Sequence, residues 1–82
     1  GVNKKLIGFE MLEKAIPRNG YTIYSFDKMK IGIVTSGTMS PSLKKGIGLG
    51  YVESSFSNLN TNIFIEIRGN MKQALIVKTP FK

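Results

Sequence analysis

The chain has 82 residues, 41% of them hydrophobic, and its twelve basic and five acidic side chains give a formal net charge of +7. At this size about 60 to 65% of the unfolded surface is buried, so one domain with a thin core is expected, and a place inside a larger assembly is favoured over a self-contained enzyme. Cysteine and histidine are both absent, which excludes disulfides, thiolate or imidazole metal sites and His-based triads, leaving carboxylates, lysine or a partner to carry any chemistry.

Strand signals dominate from the N-terminus onward, because apolar residues fall in short β-branched or aromatic runs separated by Gly, Pro, Asn and Ser. Leu6 to Leu12 reads as a first strand. Pro17-Arg18-Asn19-Gly20 reads as a turn, since Pro presets φ and Asn-Gly accepts positive φ. Tyr21 to Phe26 is the second strand, and Asp27-Lys28-Met29 a tight connection into the third, Lys30 to Thr35, whose Ile31 and Ile33 are expected on one face. Ser36 to Ser42 has the composition of a loop, with one helical turn near Pro41 to Lys45 begun at Ser40, an N-cap type residue followed by Pro, and ended by Gly46.

The fourth strand, Ile47 to Val52, sets Ile47, Leu49 and Tyr51 on one face and Gly48, Gly50 and Val52 on the other. Something must pack closely on the glycine face, or the strand must bend there. Glu53 to Thr61 is a polar connection pinned by Phe56 and Leu59. Asn62 to Arg68 alternates cleanly, with Ile63, Ile65 and Ile67 inward. Arg68 to Met71 turns the chain, Gln73 to Lys78 returns as the last strand, and Pro80 closes the domain. Six short strands with tight turns predict an all-β fold, a small six-stranded antiparallel barrel of Greek-key or jelly-roll type, since closure removes exposed edges. The expected core is Ile7 and Phe9, or their opposite-face neighbours as register decides, with Ile31, Ile33, Leu49, Ile63, Ile65, Ile67, Leu75 and Val77.

The longest apolar runs fall far short of the roughly 20 residues that span a bilayer, so no membrane partner is expected. The positive charge favours anionic partners without choosing among them. Glu10, Glu13, Asp27, Glu53 and Glu66 are spread along the chain, and nothing in their spacing gathers two of them around a pocket, so no catalytic residue is assigned. Gly46-Ile47-Gly48-Leu49-Gly50 fits neither the dinucleotide fingerprint nor the P-loop. Tyr21, Tyr24, Phe26 and Tyr51 interleaved with lysines leave a second reading open, a stand-alone basic barrel that stacks the bases of a single-stranded nucleic acid.

The segment Lys30 to Val52, with Ile31-Gly32-Ile33-Val34-Thr35-Ser36-Gly37-Thr38-Met39-Ser40-Pro41-Ser42-Leu43 at its heart, resembles the C-terminal domain of glycine cleavage T-proteins, whose pattern there is roughly IGxVTSGTxSPxLxxxIxxxYV. The resemblance extends to Leu6-Ile7-Gly8-Phe9, Ile16-Pro17-Arg18-Asn19-Gly20-Tyr21, Ile67-Arg68-Gly69-Asn70 and Val77-Lys78-Thr79-Pro80-Phe81, and so covers nearly the whole chain. It implies one domain over residues 1–82 of a longer aminomethyltransferase. That enzyme moves the one-carbon unit of an aminomethyl group on the lipoyl arm of H-protein to tetrahydrofolate, with release of ammonia. The family's main catalytic aspartate lies in the N-terminal part, and the module is shared with a wider folate-dependent superfamily.

The resemblance also implies partners and sites. The partners are the H-protein carrier and the N-terminal domains of the same enzyme, with no nucleic acid and no metal; the compartment is the bacterial cytoplasm, or the mitochondrial matrix in a eukaryote. Lys5, at the family's basic position before the first strand, and Arg18, in its Pro-Arg turn, are the folate-binding candidates, and Arg18 is also a candidate for an ion pair that orients this domain against its neighbours. A family tyrosine just past the Pro-Phe ending has no counterpart, since Lys82 alone follows Phe81. Ser36, Gly37 and Thr38 are expected to line an interface, because small side chains let a neighbouring domain approach the backbone. Lys44 and Lys45 are expected to steer an acidic partner. Gly1 in place of Met leans toward a piece of a longer protein.

Overall fold

The computed structural model describes residues 3–78. Pro80, expected to close the last strand, lies outside the described residues, as do Gly1 and Phe81. Six strands close on themselves: β1 (Lys4–Met11), β2 (Thr22–Ser25), β3 (Lys30–Ser40), β4 (Lys45–Glu53), β5 (Asn62–Ile67) and β6 (Asn70–Val77). Their order around the barrel is β1-β4-β3-β2-β5-β6, with β6 pairing back to β1 and every pair antiparallel. The three hairpin-linked strands β2, β3 and β4, with β1 returning beside β4, make a Greek key. Short turns at one end (41–44 and 68–69) face the opposite end from the β2–β3 and β4–β5 connections.

The turns follow the residues that form them. Arg18 opens a tight turn before β2, and Gly69 lies within the β5–β6 turn. In the first, the Tyr21 amide donates to the Arg18 carbonyl (3.2 Å) and Gly20 sits at φ +97°, so the turn spans Arg18 to Tyr21, one residue later than expected. Arg68 (φ +54°) and Gly69 (φ +81°) form the two-residue β5–β6 hairpin, a geometry with positive φ at both positions. At Ser40 the expected helical turn is present as a single turn: the Lys44 amide donates to the Ser40 carbonyl (2.7 Å) and the Leu43 amide to the Ser40 hydroxyl (3.2 Å). Lys44 at φ +56°, not Gly46, ends it. The short 3-10 helix lies at Ser54–Phe56, in the connection read as polar chain, and there Phe56 is half-buried while Leu59 is exposed.

The core comprises Ile7, Phe9, Met11, Ile23, Ile31, Val34, Val52, Ile63, Ile65, Ala74 and Ile76. Each large apolar side chain fully buried here contributes roughly 1.5–3 kcal/mol. Ile7, Phe9, Ile31, Ile63 and Ile65 were expected there, and Ile67 packs against the cluster from a half-buried position. Ile33, Leu49, Leu75 and Val77 were expected inside and face outward or remain half-buried.

Two bulges explain the first of these. The register passes from Ile23↔Gly32 to Tyr24↔Lys30, so Ile31 is an extra residue and ceases to share a face with Ile33. A second extra residue, Thr35, sits between Val34↔Gly50 and Ser36↔Leu49, its hydroxyl donating to the Leu49 carbonyl at 3.2 Å. In β4 the glycine face is the inner one. In β6 the pairs Phe9↔Ile76 and Met11↔Ala74 put the alternate face inside.

Candidate functional site

The residues that the sequence singled out divide between the two ends of the barrel. Lys5 is exposed near the start of β1, opposite Val52. Among the described residues the β1–β6 pairing runs from Met11↔Ala74 to Gly8↔Val77. An open cleft of about 370 Å³ is lined by Lys5, Ile7, Asn58, Leu59, Ile76 and Lys78 among others.

Arg18 stands at the other end, on the β1–β2 connection, and lines a second open cleft of about 380 Å³ with Lys14, Tyr21, Arg68, Asn70 and Lys72. The structure therefore does not bring Lys5 and Arg18 together. It gathers instead four cations around Tyr21: Lys14 and Arg18 from the β1–β2 connection, Arg68 from the β5–β6 turn and Lys72 from β6. Among the described residues no carboxylate lines that cleft, and Glu13 comes to its edge, 4.0 Å from Lys72. The lysines and arginines look scattered in sequence because their separations follow barrel closure, not spacing; the Arg68-Gly69 turn was the only local hint.

Ser36, Gly37 and Thr38 lie within β3 and not in a loop, since the strand continues to Ser40 opposite Lys45. Ser36 and Thr38 are exposed. Gly37 does allow a close approach, and the neighbour that makes it is the chain's own buried Pro17: a Cβ on Gly37 would run into the Pro17 carbonyl and lie 2.9 Å from its ring. The same ring is 2.9 Å from the corresponding position on Gly46. Pro17 thus plugs one end of the barrel across two glycines.

Lys44 is exposed, whereas Lys45 is half-buried and donates to the Glu10 carboxylate at 3.4 Å. The two neighbouring lysines consequently have different tasks, one internal and one free to meet solvent. The remaining acids are likewise engaged or remote from one another. Glu13 Oε2 accepts the Gln73 amide (2.6 Å), and Glu66 Oε1 accepts the Tyr24 hydroxyl (3.0 Å). That hydrogen bond, aided by desolvation and the carboxylate charge, holds the Tyr24 phenol above its ordinary value of 10.0. Among the described residues no three His, Cys, Asp or Glu side chains come together as a metal-holding group.

Among the described residues, Tyr24 and Phe26, on and just after β2, group with Phe64 of the neighbouring β5, and Tyr51 stands apart. Tyr24 is tied to Glu66, and Phe26 stacks on Phe64 with ring centroids 5.8 Å apart and Lys28 over the Phe64 ring. Tyr51 lies on β4, which is separated from β2 by β3. A basic barrel that reads single-stranded nucleic acid would need these rings along one groove, and the strand order sets Tyr51 on β4 apart from the group at β2 and β5.

Comparison with known proteins identifies the architecture. The model of the glycine cleavage T-protein C-terminal barrel domain matches residues 4–82. The chain is 52% identical over 82 residues to an aminomethyltransferase of Phocaeicola vulgatus, covering all of this chain and 23% of that protein. It is 57% identical over 81 residues to one of Flavobacterium psychrophilum, covering 99% of this chain and 22% of that protein. The crystal structure of glycine cleavage system aminomethyltransferase T from Bartonella henselae superposes with a TM-score of 0.87 at 26% identity, over 96% of this chain and 22% of that one. The chain thus spans less than a quarter of the length of the relatives it matches. With a family model matched along almost its full length and a closed barrel as its fold, the chain belongs to the glycine cleavage T-protein C-terminal barrel domain family.

Proposed function

We propose that this barrel is the C-terminal part of an aminomethyltransferase that takes the one-carbon unit from the aminomethyl-lipoyl arm of H-protein and delivers it to tetrahydrofolate, releasing ammonia. The observation that carries the proposal is the family match over residues 4–82 together with relatives named aminomethyltransferase at 52 and 57% identity. A bacterial cytoplasmic enzyme is part of the same reading, since those relatives come from bacteria.

Within that enzyme the barrel's task is to pack against the preceding domains and help enclose the folate. Its own acids are Glu10, Glu13, Asp27, Glu53 and Glu66. Three of them are bonded to partners within the barrel, an arrangement suited to holding strands and not to moving protons, so the catalytic carboxylate belongs to another domain. Tetrahydrofolate, when bound, accepts the one-carbon unit. Its glutamate tail is anionic, and the cleft of Lys14, Arg18, Arg68 and Lys72 offers the complementary charge. Arg18 is the residue of this cleft that the family pattern already singles out. Lys5 faces a different cleft and would meet a different part of the ligand or a neighbouring domain.

The experiment is a comparison of two preparations in an ammonia-release assay with aminomethylated carrier and tetrahydrofolate. The full-length protein is expected to turn over and residues 1–82 alone to be inactive. Ammonia release by the barrel alone would falsify the subordinate role, and an inactive full-length protein that binds neither substrate would overturn the transferase reading.

A further inference from the structure

We infer that the outer face of β4, with Leu6 of β1 and Ile33 of β3 on either side, is the surface on which the N-terminal remainder of the same polypeptide packs. The inference rests on the reading of this chain as the C-terminal barrel of a longer enzyme and names the face that makes the joint.

The β4 strand is built inside out. Gly46, Gly48 and Gly50 point inward with Val52 and are buried, and Ile47, Leu49 and Tyr51 point away from the core. The glycines cannot be exchanged for larger residues, because a Cβ at Gly48 would lie 2.7 Å from the Phe9 ring and one at Gly50 would lie 2.8 Å from Ile23 Cδ1. The barrel interior is therefore full without the large residues of β4, and their apolar character serves no contact in the core.

Register joins these side chains to their neighbours. Leu6↔Tyr51↔Ile33 forms one row across three strands, and Gly8↔Leu49↔Ser36 the next. In the third row, Ile47 is flanked by Glu10 and Thr38, where the face turns polar. Leu6 is 53% exposed, Ile33 46% and Tyr51 44%. An apolar centre with a polar border is the anatomy of an interface, and a continuous exposed apolar face of this kind marks a site of association. An aromatic at its centre fits the residue types that dominate such contacts.

The occupant follows from the length and direction of the chain. The relatives carry more than three quarters of their length outside the region matched here, and the matched family is the C-terminal barrel, so the remainder arrives through Lys4. Lys4 pairs with Glu53 at the edge of the Leu6–Tyr51 row. A segment tethered at that point meets the face at high effective concentration, so modest contact area suffices. Of the other exposed apolar side chains, Phe26 and Met29 lie in the β2–β3 region beside Asp27 and Lys28, where Phe26 already has a partner in Phe64, and Leu12 and Met39 share a cleft with the charged Glu13, Lys14, Lys44 and Lys45.

Hydroxyl-radical footprinting of the full-length protein tests the assignment, with rates normalised to the intrinsic reactivity of each side chain. Tyr51, Leu6 and Ile33 are expected to oxidise at least about fivefold more slowly than Phe26 and Met29, because a packed interface excludes water from its centre. Equal rates on the two patches overturn the proposal. Protection that fades on dilution would assign the face to a second copy, and protection that arises only when the lipoyl carrier is added would assign it to the carrier; either result also overturns it. The ammonia-release assay on the same preparation separates the two readings. An active enzyme with freely oxidised Tyr51 sinks the face assignment alone, and a protected Tyr51 in a protein without transferase activity sinks the transferase reading alone.

Discussion

The Phe9 ring stands where a side chain on Gly48 would have to go: a Cβ built there lies 2.7 Å from Phe9 Cζ and 2.7 Å from the Ser36 carbonyl oxygen. One neighbour is a side chain that can be trimmed and the other is backbone that cannot. Gly48→Ala is expected to destabilise the barrel, and Phe9→Leu in the same chain to recover only part of the loss. Denaturant midpoints of the two single variants and the double variant give the coupling directly. Full recovery would mean that the strand can shift away from Ser36.

Gly50 meets a similar pair of neighbours, Ile23 Cδ1 and the Ile33 carbonyl, both 2.8 Å from its Cβ position. Gly50→Val adds two further methyl groups to a filled interior, and the expected cost is more than about 1 kcal/mol, within the usual range for overpacking. An unchanged melting temperature would show that β4 has slack that its contacts do not indicate.

The adjacent lysines should behave differently when their charge is reversed. Lys45→Glu places a carboxylate beside Glu10, replacing an attraction by a repulsion between half-exposed groups, and should lower stability by about 0.5–1 kcal/mol after allowance for solvent screening. Lys44→Glu should leave the melting temperature in place. In the full-length enzyme Lys44→Glu is expected to raise the apparent KM for carrier-bound substrate while sparing turnover of a small free lipoamide analogue, the pattern of lost steering. Equal losses on both substrates would rule steering out.

For the cationic cleft, Arg18→Ala combined with Arg68→Ala should weaken tetrahydrofolate binding by about fivefold at most per charge removed, since an exposed ion pair contributes roughly 0 to 1 kcal/mol. The effect should be largest for folates with long glutamate tails and should shrink with added salt. Calorimetric titration of the full-length protein at two salt concentrations measures both. A loss that is the same for short and long tails would remove the tail from this cleft.

Tyr24 supplies a pH test. Its folded pKa lies above 10.0, chiefly because its hydroxyl donates to Glu66, so the hydrogen bond stabilises the fold fully below pH 10 and the contribution disappears as pH rises through the higher folded value. Tyr24→Phe should therefore be less stable than the parent near neutral pH, and the gap should close above pH 10. Melting curves of both proteins across the alkaline range check the sign. A gap that widens there would mean that the bond to Glu66 is not what raises the pKa.

The sequence by itself determined the all-β character, the number of strands along the chain and the family. β-branched alternation in Asn62 to Arg68, the Asn19-Gly20 and Arg68-Gly69 turns and the Ser40-Pro41 cap are local features, set by backbone preferences that do not wait for the rest of the fold. The Thr35-Ser36-Gly37-Thr38 wording identified the family through the same local text. Which face of each strand turns inward was legible only where the pattern alternated. In β6, Ala74-Leu75-Ile76-Val77 is apolar throughout, and only pairing with β1 chose Ala74 and Ile76 for the core. In β3 the bulges at Ile31 and Thr35 reversed the alternation, and a bulge carries no periodic signal. In β4 the expectation that large residues face inward failed because Phe9 and Ile23, from other strands, had already filled the space opposite Gly48 and Gly50. The cationic cleft is likewise a product of closure: Lys14, Arg18, Arg68 and Lys72 become neighbours only when β6 returns to β1 and β5 to β2, because side-chain proximity across a barrel depends on strand order and register, which local sequence does not encode.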